Sequence, residues 1–175
     1  MKKIFLFFLI YLAQFLSLSS NELKLEEVIK GLNNPWSLSF ITNKDILITE
    51  KSGSLLKINL NNKKIEKLTH NLNILEDGQG GLLEVLFNDN EIFVSFSENR
   101  GDGKSSTSVA KASITNSDLN FKNIFRAEPP INSGYHFGSR LVVKDNYLFI
   151  TAGERGKGMI AQDGTKHPGS IIRIH

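Results

Sequence analysis

The stretch "PWSLSF" at residues 35–40, followed by "DILITE" at 45–50, is the first of three related pairs. It returns as "GLLEVLF" (81–87) with "EIFVSFS" (91–97), and again as "SRLVV" (139–143) with "YLFITAGE" (147–154). Each pair is two short runs rich in Ile, Leu, Val and Phe, separated by turn-forming residues, which is the pattern of neighbouring β-strands. Aligning Ile46, Ile92 and Leu148 gives spacings of 46 and 56 residues. Propeller blades repeat at about 40–50 residues and contribute four strands each. A sandwich or barrel also uses short strands, but gives no reason for this repetition. The expected fold is all-β, a propeller with about three blades in this chain.

Working outward, strands are expected at Trp36 to Ile41, Asp45 to Glu50, Ser54 to Leu60 and Lys64 to Leu68. Further strands follow at Gly81 to Phe87, Glu91 to Ser97, Ser108 to Ile114, Ser139 to Val143, Tyr147 to Ala152 and Ser170 to Ile174. Helical periodicity is nearly absent, with Leu23 to Leu32 ambiguous. The longer second spacing predicts an insertion, placed in the polar stretch Glu98 to Thr107. Three units leave a propeller open, since closure takes about four to eight blades. Uncovered blade faces and strand edges are unfavourable. Residues 21–175 are therefore expected to be the N-terminal half of a propeller, completed by further sequence or, less simply, by other chains.

Residues 1–20 read as an export signal. Lys2 and Lys3 form a positive start, Ile4 to Leu16 is apolar apart from Gln14, and Ser17 to Ser20 supplies small residues for cleavage. That apolar run is shorter than the roughly 20 residues a bilayer requires, although an uncleaved anchor is the alternative reading. The expected location is periplasmic or secreted, with no stable membrane span after cleavage. The formal net charge is +3, and losing Lys2 and Lys3 leaves +1. Such a domain lacks the clustered basic footprint of a nucleic-acid binder. There is no cysteine, so disulfides, thiolate metal sites and cysteine nucleophiles are excluded.

Three Gly-rich segments carry chemical interest, each beside a strand where a propeller places loops around its channel. In Asp77-Gly78-Gln79-Gly80-Gly81 the glycines allow close backbone approach and the Gln79 amide offers donors and an acceptor. From local composition alone, an ordinary Gly-rich turn is the simpler account. In Tyr135-His136-Phe137-Gly138-Ser139-Arg140, His136 is suited to proton transfer near neutral pH, between two aromatics that could lower the local polarity. A lone histidine is more often structural, and Arg140 is either a carboxylate partner or a clamp. In Thr151-Ala152-Gly153-Glu154-Arg155-Gly156, followed by Gln162-Asp163, Glu154 could orient the histidine or contact a substrate. Equally, Glu154 and Arg155 could be solvated turn residues. His70, His167 and His175 show no metal-ligand spacing, Gly103-Lys104-Ser105 lacks the leading glycine of a phosphate loop, and no serine sits in a GxSxG elbow.

Taken in order, "GLNNPWSLSF" (31–40), "DILITEKSG" (45–53), "DGQGGLLEV" (77–85), "HFGSRL" (136–141), "LFITAGERG" (148–156) and "HPGSIIRI" (167–174) resemble motifs of the glucose/sorbosone dehydrogenase family. The resemblance covers Gly31 to Ile174. It implies a six-bladed β-propeller, of which about three blades are present. It also implies oxidation of an aldose at the anomeric carbon to the lactone, with pyrroloquinoline quinone (PQQ) as hydride acceptor and calcium linked to that cofactor. By the same resemblance His136 is the general base, and Gln79, Glu154 and Arg140 contact substrate or cofactor. Glu154 stands where the family usually has aspartate, and Ser170 replaces the usual lysine. Most residues that grip PQQ and calcium belong to the family's second half, so this chain alone is expected to be inactive.

The partners so implied are a sugar substrate and a downstream electron acceptor. The alternative is a non-catalytic propeller binding a carbohydrate or a protein. A calcium-dependent lactonase would need a ring of carboxylates and asparagines that these segments lack.

Overall fold

The computed structural model describes residues 23–114 and 118–175; the export signal expected at 1–20 lies outside them. Blade 1 is an antiparallel meander of β1 (Pro35–Phe40), β2 (Asp45–Glu50), β3 (Leu55–Asn59) and β4 (Ile65–His70). Blade 2 has β5 (Leu82–Asn88), β6 (Glu91–Asn99), β7 (Ser105–Ser113) and β9 (Lys122–Arg126). Blade 3 has β10 (Gly138–Lys144), β11 (Tyr147–Ala152) and β12 (Ser170–Ile174). The short β8 (Asp118–Leu119) leaves blade 2 and pairs in parallel with β4 on the rim of blade 1. The sheets do not close into a ring. No helix of the described residues is long and apolar enough to cross a membrane.

Local chemistry accounts for these elements. Asp89-Asn90 and Asp145-Asn146 all take positive φ, between 49° and 63°, at the tips of the β5–β6 and β10–β11 hairpins. Asp and Asn tolerate that region, and paired positive φ values match the twist of two-residue hairpins. In β2, successive side chains point to opposite faces. Leu47 packs toward blade 2, with Leu82, Val85, Ile92, Val94 and Phe96. Ile46 and Ile48 pack on the other face with Leu56 and Ile58, covered in part by Ile29 and Leu32. Val109, Leu141, Leu148 and Ile150 then join blades 2 and 3. Each fully buried Leu, Ile or Phe contributes about 1.5–3 kcal/mol, so the interfaces between blades hold the array together.

A second device repeats with the blades. The first strand of each blade has a register shift, at Pro35/Ser37, Leu82/Val85 and Gly138/Leu141. A hydroxyl from the second strand sits beneath each irregularity. Thr49 Oγ1 accepts the Ser37 amide at 3.1 Å and donates to the Leu83 carbonyl of blade 2 at 2.5 Å. Ser95 Oγ accepts the Glu84 amide at 3.0 Å and donates to the Ser139 carbonyl of blade 3 at 2.6 Å. Thr151 Oγ1 accepts the Arg140 amide at 2.9 Å, and among the described residues it meets no carbonyl of a following blade. One side chain thus repairs its own blade's ladder and latches the next.

The ambiguous stretch 23–32 is neither helix nor strand, and one expectation is corrected. The stretch Glu98 to Thr107 is a lengthened hairpin rather than an inserted loop, with only residues 100–104 between strands. Ile46 pairs with Ile58, twelve residues on, whereas Ile92 pairs with Ala112, twenty residues on. Eight of the ten extra residues in the second spacing therefore lengthen the β6–β7 hairpin, seven of them in its strands and one in its turn. Strand order and approximate bounds otherwise agree with the sequence reading, apart from β8 and β9, which it lacked.

Candidate functional site

The three Gly-rich segments meet at one end of the blades. The first enters β5, the second enters β10 and the third leaves β11. Close approach between them requires glycine. A Cβ on Gly78 would stand 2.5 Å from the Gly134 carbonyl oxygen, and one on Gly153 would stand 2.0 Å from that of His136. Gln79 donates its backbone N–H to the Gly134 carbonyl at 2.7 Å, tying the first loop to the second.

His136 lies at the centre of this junction. Its backbone N–H donates to Gln79 Oε1 at 2.9 Å, and its Nδ1 lies 2.5 Å from Glu154 Oε1. The same carboxylate oxygen accepts the Gly156 amide at 3.1 Å. With a carboxylate as acceptor, Nδ1 carries the proton, and in the neutral imidazole Nε2 then holds its lone pair. Glu154 is held below the ordinary carboxylate range, first by its hydrogen bond to His136, against the opposing pull of desolvation. The extra methylene of glutamate does not prevent the contact. The His136 side chain is 53% exposed, and Nε2 has no hydrogen-bond partner among the described residues. The two flanking aromatics do not enclose it: Tyr135 is exposed, with its ring centroid 6.1 Å from that of the imidazole, while Phe137 is buried beneath the loop.

The two arginines of these segments behave differently. Arg140 reaches Glu84, the corresponding residue of blade 2, rather than His136, Gln79 or Glu154. Arg155 is not a solvated turn residue: it is only 2% exposed. Its Nε donates to the Tyr135 carbonyl, its Nη1 to the Ser105 carbonyl and one Nη2 hydrogen to Ser105 Oγ, each at 2.9 Å. The other Nη2 hydrogen goes to the Ser133 carbonyl. The guanidinium carbon lies 3.6 Å from the centroid of the Phe137 ring. Burial lowers its pKa to about 10 despite the opposing charge of Asp77, so it is a cation at neutral pH. Asp163, downstream, bonds Thr165 and Lys166 and has no part in this junction.

The groups implied by the family resemblance make demands that these residues do not meet. An anionic quinone needs available cations, but Arg140 is paired and all the side-chain contacts of Arg155 are to the protein. Among the described residues, no group of three or more His, Cys, Asp or Glu side chains could hold a metal ion. Thus the residues present hold an imidazole in an exposed position against a carboxylate and do not by themselves form a PQQ or calcium cradle. Sequence reading missed Arg155 as a buried clasp, Ser105 as its anchor and Glu84 as the partner of Arg140. The available signals were the conjunction of an arginine with two glycines in one turn, and the repeat alignment that puts Glu84 and Arg140 at matching positions.

The family model for glucose / sorbosone dehydrogenase matches residues 32–175. The chain is 34% identical over 154 residues to aldose sugar dehydrogenase YliI of Escherichia coli (strain K12), covering 82% of this chain and 41% of that protein. The crystal structure of the soluble aldose sugar dehydrogenase from Escherichia coli in the apo-form matches with a TM-score of 0.80 and 33% identity, over 85% of this chain and 46% of that one. The PQQ-bound form of aldose sugar dehydrogenase from Streptomyces coelicolor shares the fold, with a TM-score of 0.72 at 22% identity, over 86% of this chain and 47% of that one. The chain therefore spans less than half the length of these relatives. Its blades match a propeller of known relatives, and its loops meet where the ordered motifs converge: the chain belongs to the glucose/sorbosone dehydrogenase family.

Proposed function

We propose that this chain supplies the proton-accepting half of an aldose dehydrogenase site, acting on the anomeric hydroxyl to give the lactone. The observation that carries the reading is the 2.5 Å contact from His136 Nδ1 to Glu154, which leaves Nε2 open as a base. In this reading Nε2 accepts the proton of the anomeric hydroxyl as the C1 hydride departs. Glu154 holds the ring and stabilises the imidazolium that forms. Gln79 sets the loop through the His136 amide, and its amide nitrogen serves as a substrate donor. PQQ, implied by family membership, supplies a two-electron acceptor when bound; its grip and that of calcium would come from residues other than those described. Export to the periplasm or beyond, guided by residues 1–20, belongs to the same proposal.

The paired state of Arg140 and the burial of Arg155 also favour a second reading, in which the blades bind a carbohydrate or protein without catalysis. Glucose-dependent dye reduction with added PQQ and calcium separates the two. The chain alone should show no turnover, and appreciable turnover would overturn its assignment as a half-site. In a polypeptide carrying a complete propeller, His136→Gln should lower kcat by about 10²- to 10⁴-fold. Unchanged kcat there would remove His136 from the base role.

A further inference from the structure

The Arg155 guanidinium lies under the loop that carries His136 and touches it on both sides. Ser133 and Tyr135, before His136, give their carbonyls to it, and Phe137, after His136, lays its ring against it. The backbone adds a bond from Arg155 N–H to the His136 carbonyl at 3.3 Å. From below, Ser105 fixes the guanidinium through both its carbonyl and its hydroxyl. Ser105 starts β7 in the lengthened part of the β6–β7 hairpin, and its backbone also pairs with Ile131. The added strand length therefore ends beneath the His136 loop.

The neighbouring residue makes this geometry specific. Glu154 turns outward to His136 Nδ1 while Arg155 turns inward beneath the same loop. One tight turn thus sets both the imidazole's partner and the height of its backbone. His136 and Arg155 have φ values of 48° and 60°, in the left-handed region that a non-glycine residue keeps only when its surroundings hold it. Burying a cation is unfavourable unless its donors are satisfied. Here each group on its rigid fork has a partner on the loop or the hairpin, a fit that the three donors of a lysine ammonium lack.

We propose that Arg155 is a positioning residue: its buried guanidinium sets the His136 loop so that Nδ1 meets Glu154 and Nε2 faces the site. The proposal rests on the reading of His136 as the base, but it concerns geometry that exists without sugar or cofactor. Its test therefore needs neither. Nitrogen-15 spectra of the intact protein would report the His136 tautomer, and carbon-13 labelling would follow the Glu154 carboxyl as it titrates.

In the wild type, His136 should be held as the Nδ1–H tautomer with Glu154 titrating below the ordinary glutamate range. In Arg155→Lys, His136 should shift toward the Nε2–H form favoured by free imidazole, and Glu154 should return toward the ordinary value. Ser105→Ala, which removes one acceptor and preserves the charge, should shift both signals partway. Ile58→Ala, in the far face of blade 1, should lower Tm and leave both signals alone. A folded Arg155→Lys protein with both signals unchanged overturns the proposal, whatever its Tm. Should Arg155→Lys fail to fold, unchanged signals in Ser105→Ala overturn it instead. Absence of dehydrogenase turnover in a completed propeller would sink the functional reading without altering what these spectra report about Arg155.

Discussion

Replacing Ser95 by alanine removes one oxygen and should cost far more than its size suggests. Its hydroxyl accepts the Glu84 amide and donates to the Ser139 carbonyl, and Ser95 is fully buried. Without it two backbone groups are left in the blade 2–blade 3 interface with no water to replace the lost partner. An unsatisfied buried polar group costs about 1–3 kcal/mol, so the pair should cost about 3 kcal/mol. Thr151→Val is the matched control in blade 3. It is nearly isosteric and removes the bond to the Arg140 amide alone, at a half-buried position, for about 1 kcal/mol. The difference of about 2 kcal/mol corresponds to about 4–8 °C in Tm for a domain of this size. Thermal unfolding followed by circular dichroism, with urea midpoints as a check, measures it directly. Equal losses for the two substitutions would refute the claim that the second-strand hydroxyl latches one blade to the next.

Two further outcomes are expected. Gly153→Ala places a Cβ 2.0 Å from the His136 carbonyl oxygen and 2.6 Å from its carbon, so the loop must move by about 1 Å or more to restore contact distances, a displacement that can cost about 10²-fold in rate. Loss of the His136 Nδ1–H signal would record the movement, whereas Gly164→Ala, with open space around it and no positive φ, should leave both spectrum and Tm unchanged. Glu154 gives a pH test: its folded pKa lies below the unfolded value, so its stabilisation is fully present above the ordinary glutamate range and drains away as pH falls through the lowered value. The gap in urea midpoint between wild type and Glu154→Gln should therefore narrow on acidification below about pH 5, and a widening gap would contradict that linkage.

What could be read from the residues alone follows from how each segment is stabilised. β6 is apolar on both faces because it packs against blade 1 on one side and blade 3 on the other, and β2 because blade 2 covers one face and Ile29 and Leu32 part of the other; such runs stand out in a sequence. The β9 strand, Lys122–Arg126, does not. It is anchored through polar contacts, with Asn123 and Arg126 both bonding the Glu98 carboxylate at 2.8 to 2.9 Å. β8 has only two residues, too few for any periodicity, and is held by Asn71 clasping Asn120 and Phe121. The polar run from Glu98 to Thr107 reads as a loop because serine and threonine favour loops. Half of it is strand because those hydroxyls have partners: Ser108 bonds Glu98 at 2.7 Å, Thr107 bonds the Phe137 carbonyl at 2.7 Å, and Ser105 meets Arg155. The His136–Glu154 pairing followed from motif order, but which of two consecutive turn residues faces inward is a backbone property that composition does not encode.

The division of labour within the site has a structural cause. His136 and Glu154 both belong to blade 3, and Gln79 lies in the loop before the first strand of blade 2, so one complete interface between blades suffices to set the proposed base. That interface is closed by apolar packing, by the Ser95 latch and by Arg155, all supplied by the described residues. Holding an anionic cofactor is a different requirement, because cations must reach the channel with their charge unpaired. Arg140 is already matched by Glu84, and Arg155 serves the loop from below. The His136–Glu154 pair should therefore keep its geometry whether or not a cofactor is bound, and changes that abolish cofactor binding elsewhere should leave it intact. In the proposed reading such a propeller can lose its redox chemistry without losing its fold, because the contacts of Gln79 and Arg155 that set the His136 loop also join two blades.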